Sequence, residues 1–404
     1  REEAVEYLSG ASAAGFNVVQ VQVINGVPAY NAYGHCSHPS GYDFSSVEKE
    51  GNDGYWQHLD YIIDKAADEG IYIGMVCIWG GLVKGGKMNV DEAEAYGSFL
   101  ANRYRDKPNI IWIMGGDIRG DVKSDVWEAL AQSIRSVDNR HLMSFHPFGR
   151  TSSIAWFHNA SWLDFNMFQS GHRRYDQTRG DGDDKAQASQ AEDNWRYVEA
   201  AREMQPAKPV IDAEPSYEEI PQGLHDPAEP WWKAPDVRRY AYWSVLSGAA
   251  GHTYGHSSVM QMKKDEPVGA YGAVKTWREG MRDEGYNQMR YLRRLMEMLP
   301  YHELVPDQSI VAGENGQRYE RVVAARGDDW MLLYTYTNSP FTVNLDKING
   351  VKKRVWWYDV TSGKFEPAGE YASSQATFRY AAAPEGPGND RVLLVTDAAA
   401  SYIK

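Results

Sequence analysis

Two acidic residues close two strand-like runs, 97 positions apart (214 − 117): Asp117 ends Ile-Ile-Trp-Ile-Met-Gly-Gly-Asp, and Glu214 sits in Pro-Val-Ile-Asp-Ala-Glu-Pro-Ser-Tyr. A carboxylate at the end of an apolar strand is costly to desolvate unless it is paired or used. Two such groups suit a general acid and a nucleophile acting on one bond, the arrangement that cuts glycosides. The competing reading makes both of them cap or ion-pair carboxylates. Asp212 and Glu218 are rivals of Glu214. Asp212 lies one inward step deeper and is expected to orient a neighbour, while Glu218 falls beyond the strand, in a loop.

Further polar and aromatic side chains collect at strand ends. His146 closes one run, Gln169 and His172 follow another, and Tyr254 lies between His252 and His256 in a third. They are candidates for contacts with substrate hydroxyls, although a lone histidine at such a place is often a hydrogen-bonded structural residue. Trp79, Trp156 and Trp243 are candidates for ring stacking or for walls of the site. Metal chemistry needs a tight ligand set. His35 and His38 sit in a loop, and His252 and His256 have helical spacing inside a strand-like run, so neither a metal nor a cofactor is expected. No Gly-x-Ser-x-Gly elbow occurs, which disfavours a serine hydrolase. The tripeptide Arg179-Gly180-Asp181 reads as chance in a charged loop.

Positioning these residues falls to an alternation of strands and helices. Runs at 16–24, 72–79, 110–117, 142–148, 164–169, 210–214 and 251–258 read as strands; 54–69, 90–104, 125–137, 192–204, 237–246 and a long closing stretch at 274–299 read as helices. Asn89 and Ser124 stand as N-caps. Alternation of this kind implies a parallel sheet with helices outside. A helix at 1–14 precedes the first strand, and adding a strand before it gives eight βα units: a TIM (β/α)8 barrel lacking its first strand in this chain. An open doubly wound sheet is the alternative, disfavoured because no Gly-rich phosphate loop follows an early strand. On the barrel, Asp117 ends strand four and Glu214 ends strand seven, at the carboxyl edge where barrel sites lie. Period-two alternation puts Ile111, Ile113, Gly115 and Asp117 on one face, and Val210, Asp212 and Glu214 on one face of their strand. Gly115 and Gly116 leave room for a ring beside Asp117.

From about position 307 the pattern changes to short runs at hairpin spacing: 318–325, 330–336, 341–345, 353–358, 377–380 and 391–396. These predict an all-β sandwich, dividing the chain into a barrel over 1–303 and a sandwich over 304–404, with Pro300 and Pro306 at the join. The polar, Gly/Asp-rich stretch at 175–192 reads as a long loop.

The composition limits the partners. With 404 residues and a net charge of −13, and without a dense Lys/Arg block, the chain is not built for nucleic acid or an anionic membrane. It has no apolar run of the ~18 residues a membrane span needs. Cys36 and Cys77 lack metal-type spacing, and Cys77 reads as a small core residue. The 14 Trp and 26 Tyr exceed what stacking at one site requires, so most are expected in the core. The chain opens directly on a helix, so an upstream segment is expected, and no signal sequence is present in it.

The segments WIMGGD (112–117), DAEPSYE (212–218) and GHTYGHSSVMQM (251–262) resemble the DUF4038 group of bacterial proteins, which includes glycoside hydrolase family 140, the apiosidases acting on the pectin rhamnogalacturonan II. The opening AAGFNVVQVQV and the late WWYDVTSG (356–363) fit as well. The resemblance implies a TIM barrel fused to a small β-sandwich that carries a collagen-binding label. It places the acid/base on Asp117 and the nucleophile on Glu214. It implies an oligosaccharide or polysaccharide substrate of the pectic kind. The carboxylate pair suits retention of configuration, and a mouth closed by long loops such as 175–192 favours exo action. Polysaccharide substrates lie outside the cytoplasm, so a secreted, periplasmic or bacterial-surface location is expected. The competing expectations are a non-catalytic carbohydrate-binding protein or a matrix-adhesion protein on the same scaffold.

Overall fold

The structure, a computed structural model, describes residues 1–47, 51–177 and 192–403. Most of the loop expected at 175–192, with its Arg-Gly-Asp tripeptide, lies outside them. The described residues form two compact units: 1–169 with 204–209, and 170–177 with 192–203 and 210–403.

The first unit contains α1 (Glu2–Ala13), β1 (Val18–Gln22), β2 (Pro39–Tyr42), α2 (Tyr55–Asp68), β3 (Tyr72–Val76), α3 (Gly80–Lys84), α4 (Val90–Tyr104), β4 (Ile110–Ile118), α5 (Ser124–Val137), β5 (Met143–Pro147), β6 (Thr151–Ser152) and β7 (Asn166–Gln169). Strands β1, β3, β4 and β5 pair in parallel in that order, with helices between them, which is the βα progression of a TIM barrel. The helices form because their apolar residues recur on one face: Trp56, Leu59, Ile63 and Ala66 in α2, and Val126, Trp127, Leu130 and Ile134 in α5, are all buried. Helix α4 starts with a capping box in which the Glu92 amide donates to Asn89 Oδ1 at 3.0 Å and the Asn89 amide to Glu92 Oε2 at 2.7 Å. Ser124 is not a cap. The residue before α5 is Lys123, in left-handed conformation, and Ser124 is the first helical residue. Trp112 and Met114 of β4 join the core that these helices cover, and the indole of Trp112 donates to Asp138 Oδ2 at 2.8 Å.

The second unit continues with α6 (Asn194–Arg202), β8 (Val210–Asp212), α7 (Ala234–Leu246), β9 (Gly251–His252), α8 (Ser257–Met260), α9 (Trp277–Gly280) and α10 (Glu284–Met298). Strands β8 and β9 pair in parallel. The strand expected at 251–258 stops after His252, because the His256 ring caps α8: its Nδ1 accepts from the Ser258 amide at 3.1 Å, and its Nε2 lies 2.9 Å from Asp283 Oδ2. The single helix expected at 274–299 is broken. Glu218 reaches the start of α10 and accepts the Gly285 and Tyr286 amides at 3.0 and 3.1 Å, so the helix begins there.

The same unit holds nine antiparallel strands: β10 (Val305–Pro306), β11 (Val311–Ala312), β12 (Val323–Arg326), β13 (Trp330–Thr335), β14 (Phe341–Asn344), β15 (Lys353–Tyr358), β16 (Phe365–Tyr371), β17 (Gln375–Phe378) and β18 (Arg391–Asp397). They make a six-stranded sheet, β10-β12-β13-β18-β15-β16, and a three-stranded one, β11-β14-β17. Met331, Leu333, Val355, Leu393 and Val395 of the larger sheet pack with Val311, Phe341, Val343 and Phe378 of the smaller. The larger sheet is also buried on its other face, where Tyr334 stacks on Tyr242 of α7 with ring centroids 4.9 Å apart. The fold class is thus α/β with parallel strands, followed by antiparallel all-β sheets.

Candidate active site

Asp117 does not reach its position by strand alternation. In the parallel pairing of β4 with β5, Gly115 faces His146 and Ile118 faces Pro147, so Gly116 and Asp117 bulge out of the ladder. Three successive residues have positive φ: Gly115 at 83°, Gly116 at 104° and Asp117 at 50°. A β-carbon on Gly115 would lie 2.4 Å from the His146 carbonyl oxygen, and one on Gly116 2.6 Å from the Trp79 ring. The double glycine is therefore what lets the chain fold back under Trp79 and present an exposed Asp117. Asp117 carries left-handed strain of a kind found at functional sites. Its amide faces His146 Nδ1 at 3.4 Å, and the same nitrogen lies 3.1 Å from the Pro147 carbonyl oxygen.

The other candidates of the first unit sit on neighbouring strand ends. Trp79 precedes α3, half-buried, with its ring 6.0 Å from that of His146. Trp156 is half-buried with the Arg119 guanidinium 5.2 Å above it. Gln169 ends β7; its carbonyl accepts the Arg150 amide at 2.6 Å, while its buried side-chain oxygen has no partner among the described residues.

In the second unit, residues 170–172 are stitched to the end of β8. The Ser170 hydroxyl donates to Asp212 Oδ2 at 2.8 Å, the Gly171 amide to the Glu214 carbonyl at 3.1 Å, and the Ser216 hydroxyl to the Gly171 carbonyl at 2.8 Å. His172 then places Nε2 3.0 Å from Glu214 Oε1. Glu214 is mostly shielded, with its side chain 13% exposed. Asp212 is the orienting neighbour expected. It is fully buried, burial pushes its carboxyl up to about 7, and the donors from Asn194 and Ser170 oppose that rise.

The remaining candidates are placed elsewhere. Trp243 is fully buried in α7, with the Arg239 guanidinium 5.0 Å from its ring, and offers no face to a sugar. Tyr254 donates its hydroxyl to Glu218 at 2.5 Å, so that proton is already engaged. Glu218 is a buried helix cap whose carboxyl is raised by burial. Sequence reasoning missed Ser170, Asn194 and Ser216, the partners that fix the β8 edge. It also missed Arg239, a fully buried guanidinium paired with Glu192 at 2.6 Å and ringed by Tyr240, Trp243, Tyr319 and Tyr336. Adjacent glycines in an apolar strand were the available signal for the bulge; no residue pattern announced the other groups.

Solved glycoside hydrolases share this fold over the whole length of the chain. One, named a glycoside hydrolase, is 55% identical, matches 100% of this chain and 90% of its own length, and superposes with a TM-score of 0.97. Another, a glycoside hydrolase family 5 protein from Bacteroides vulgatus ATCC 8482, is 54% identical over 100% of this chain and 88% of its own, also at 0.97. Residues 1–303 match the family described as "Apiosidase-like, catalytic domain", and residues 305–396 match one described as "Putative collagen-binding domain of a collagenase". The chain belongs to the apiosidase-like family of glycoside hydrolases. No curated protein matches it.

Proposed function

We propose that this chain is an exo-acting, apiosidase-like hydrolase of pectic glycans of the rhamnogalacturonan II kind, working by retaining double displacement outside the cytoplasm. One observation carries the reading: residues 1–303 match the apiosidase-like catalytic domain, with the Gly-Gly-Asp and Asp-Ala-Glu-Pro motifs intact. Asp117 donates a proton to the departing glycosidic oxygen while a Glu214 carboxylate oxygen bonds to the anomeric carbon. Asp117 then takes a proton from the water whose oxygen replaces Glu214. Retention requires the two carboxyls to be about 5–5.5 Å apart in the working enzyme. The bulge at Asp117 and the histidine on Glu214 support the two roles, one group presented outward and the other held by a donor.

The test is incubation with rhamnogalacturonan II oligosaccharides, following the released monosaccharide and its anomer by proton NMR at early times. Release of apiose with retained configuration is expected. Release of the opposite anomer rejects double displacement, and release of no monosaccharide from any pectic oligosaccharide rejects the substrate class.

A further inference from the structure

Resting on the reading of Glu214 as the nucleophile, we propose that His172 is its positioning residue: it donates to one carboxylate oxygen and fixes the orientation of the group. The Nε2 atom lies 3.0 Å from Glu214 Oε1. A carboxylate accepts hydrogen bonds only, so the proton is on Nε2. The opposite nitrogen, Nδ1, is buried without a partner among the described residues. A ring kept merely for packing would be better served by Phe, which carries no bare nitrogen into the interior. The donor to Glu214 is what the imidazole adds.

The histidine is held from three directions. Its carbonyl accepts the Gly223 amide at 2.7 Å and the Trp232 indole at 3.1 Å. The Tyr217 ring meets the imidazole edge-on at 4.8 Å. Tyr217 in turn fills the space that Gly255 vacates, where a β-carbon would come within 2.0 Å of it. The preceding Gly171 is bonded to the Glu214 backbone. Donor and carboxylate thus share one rigid frame.

The donor favours the charged carboxylate over the protonated acid. It also strengthens again as the carboxylate departs when water attacks the glycosyl ester.

The experiment compares H172Q, whose amide nitrogen replaces Nε2, with H172F, which keeps the bulk and loses the donor. Rhamnogalacturonan II oligosaccharides serve as substrate. H172F is expected to lose about 100–1000-fold in kcat with KM within about threefold. The acid limb of its kcat/KM profile moves up by about one pH unit as Glu214 becomes harder to ionise. H172Q is expected to stay within about tenfold of the parent. Nitrogen-15 NMR of the parent is expected to show the Nε2–H tautomer, and an Nδ1–H tautomer overturns the proposal. So does H172F with parental kcat and acid limb. If H172F fails to fold, the H172Q profile and the tautomer decide. Full activity in E214Q sinks the nucleophile itself; an inactive E214Q beside an unimpaired H172F sinks only the positioning role.

Discussion

Arg238 and Asp390, 152 residues apart, form a two-pronged ion pair, with Nε to Oδ2 at 2.9 Å and Nη2 to Oδ1 at 2.6 Å. The side chains are 3% and 1% exposed, and Tyr334 adds its hydroxyl to Asp390 at 3.0 Å. Helix α7 is thereby bound to the six-stranded sheet as one core. Removing one partner leaves a buried charge alone, a loss of about 3–5 kcal/mol. D390A should therefore lower the urea midpoint by a corresponding amount, and a chain cut after residue 303 should fail to fold cooperatively. An unchanged midpoint in D390A would show the pair to be dispensable.

The two carboxylates make different predictions. E214Q should lower kcat by about a thousandfold or more with its melting temperature unchanged. D117N should slow oligosaccharide cleavage severely but a 4-nitrophenyl apioside far less, because that leaving group departs without a proton. Equal losses on both substrates would assign Asp117 another task.

Much of the fold that frames this site was legible in the sequence because it rests on periodicity and motifs. The runs 110–117 and 353–358 correspond to β4 and β15, and Asn89 with Glu92 announced a capping box that the structure contains. What was not legible depends on contacts across long separations. Glu218 sets the start of α10 from 67 positions away, through the Gly285 amide, and His256 turns a strand-like run into a helix start. The route by which Asp117 is exposed was misread for the same reason. Alternation assumes a regular ladder, whereas the bulge is decided by what Gly115 and Gly116 meet, His146 and Trp79. The burial of Trp243 was hidden because α7 is covered on more than one side, and amphipathic spacing does not mark such a helix.

The bulge itself can be tested. G116A places a methyl group against the Trp79 ring at a φ of 104°, which a side chain rarely adopts. Either the ring moves or the bulge flattens, and Asp117 shifts with it. Displacement by ~1 Å at a catalytic group costs about 100-fold. A loss of that order in kcat/KM is expected, with circular dichroism unchanged. Parental kinetics in G116A would mean the glycine is not what sets Asp117.

Asp212 connects stability to pH. In the unfolded chain its proton leaves near 3.8, and in the folded protein near 7. Between these values the folded state binds more protons. Stability from this group is therefore full below pH 4 and lost as pH rises through 7. D212N cannot ionise, so its melting temperature should gain on the parent by several degrees between pH 5 and 8 in a thermal-shift series. Parallel curves would place the proton elsewhere. Because Ser170, bonded to Asp212, begins the segment that carries His172, the same variant also probes the frame around Glu214. An asparagine oxygen still accepts from Ser170, so kcat at pH 7 should fall by less than about tenfold. A larger fall would mean that the Asp212 charge, rather than its shape, helps to hold the nucleophile.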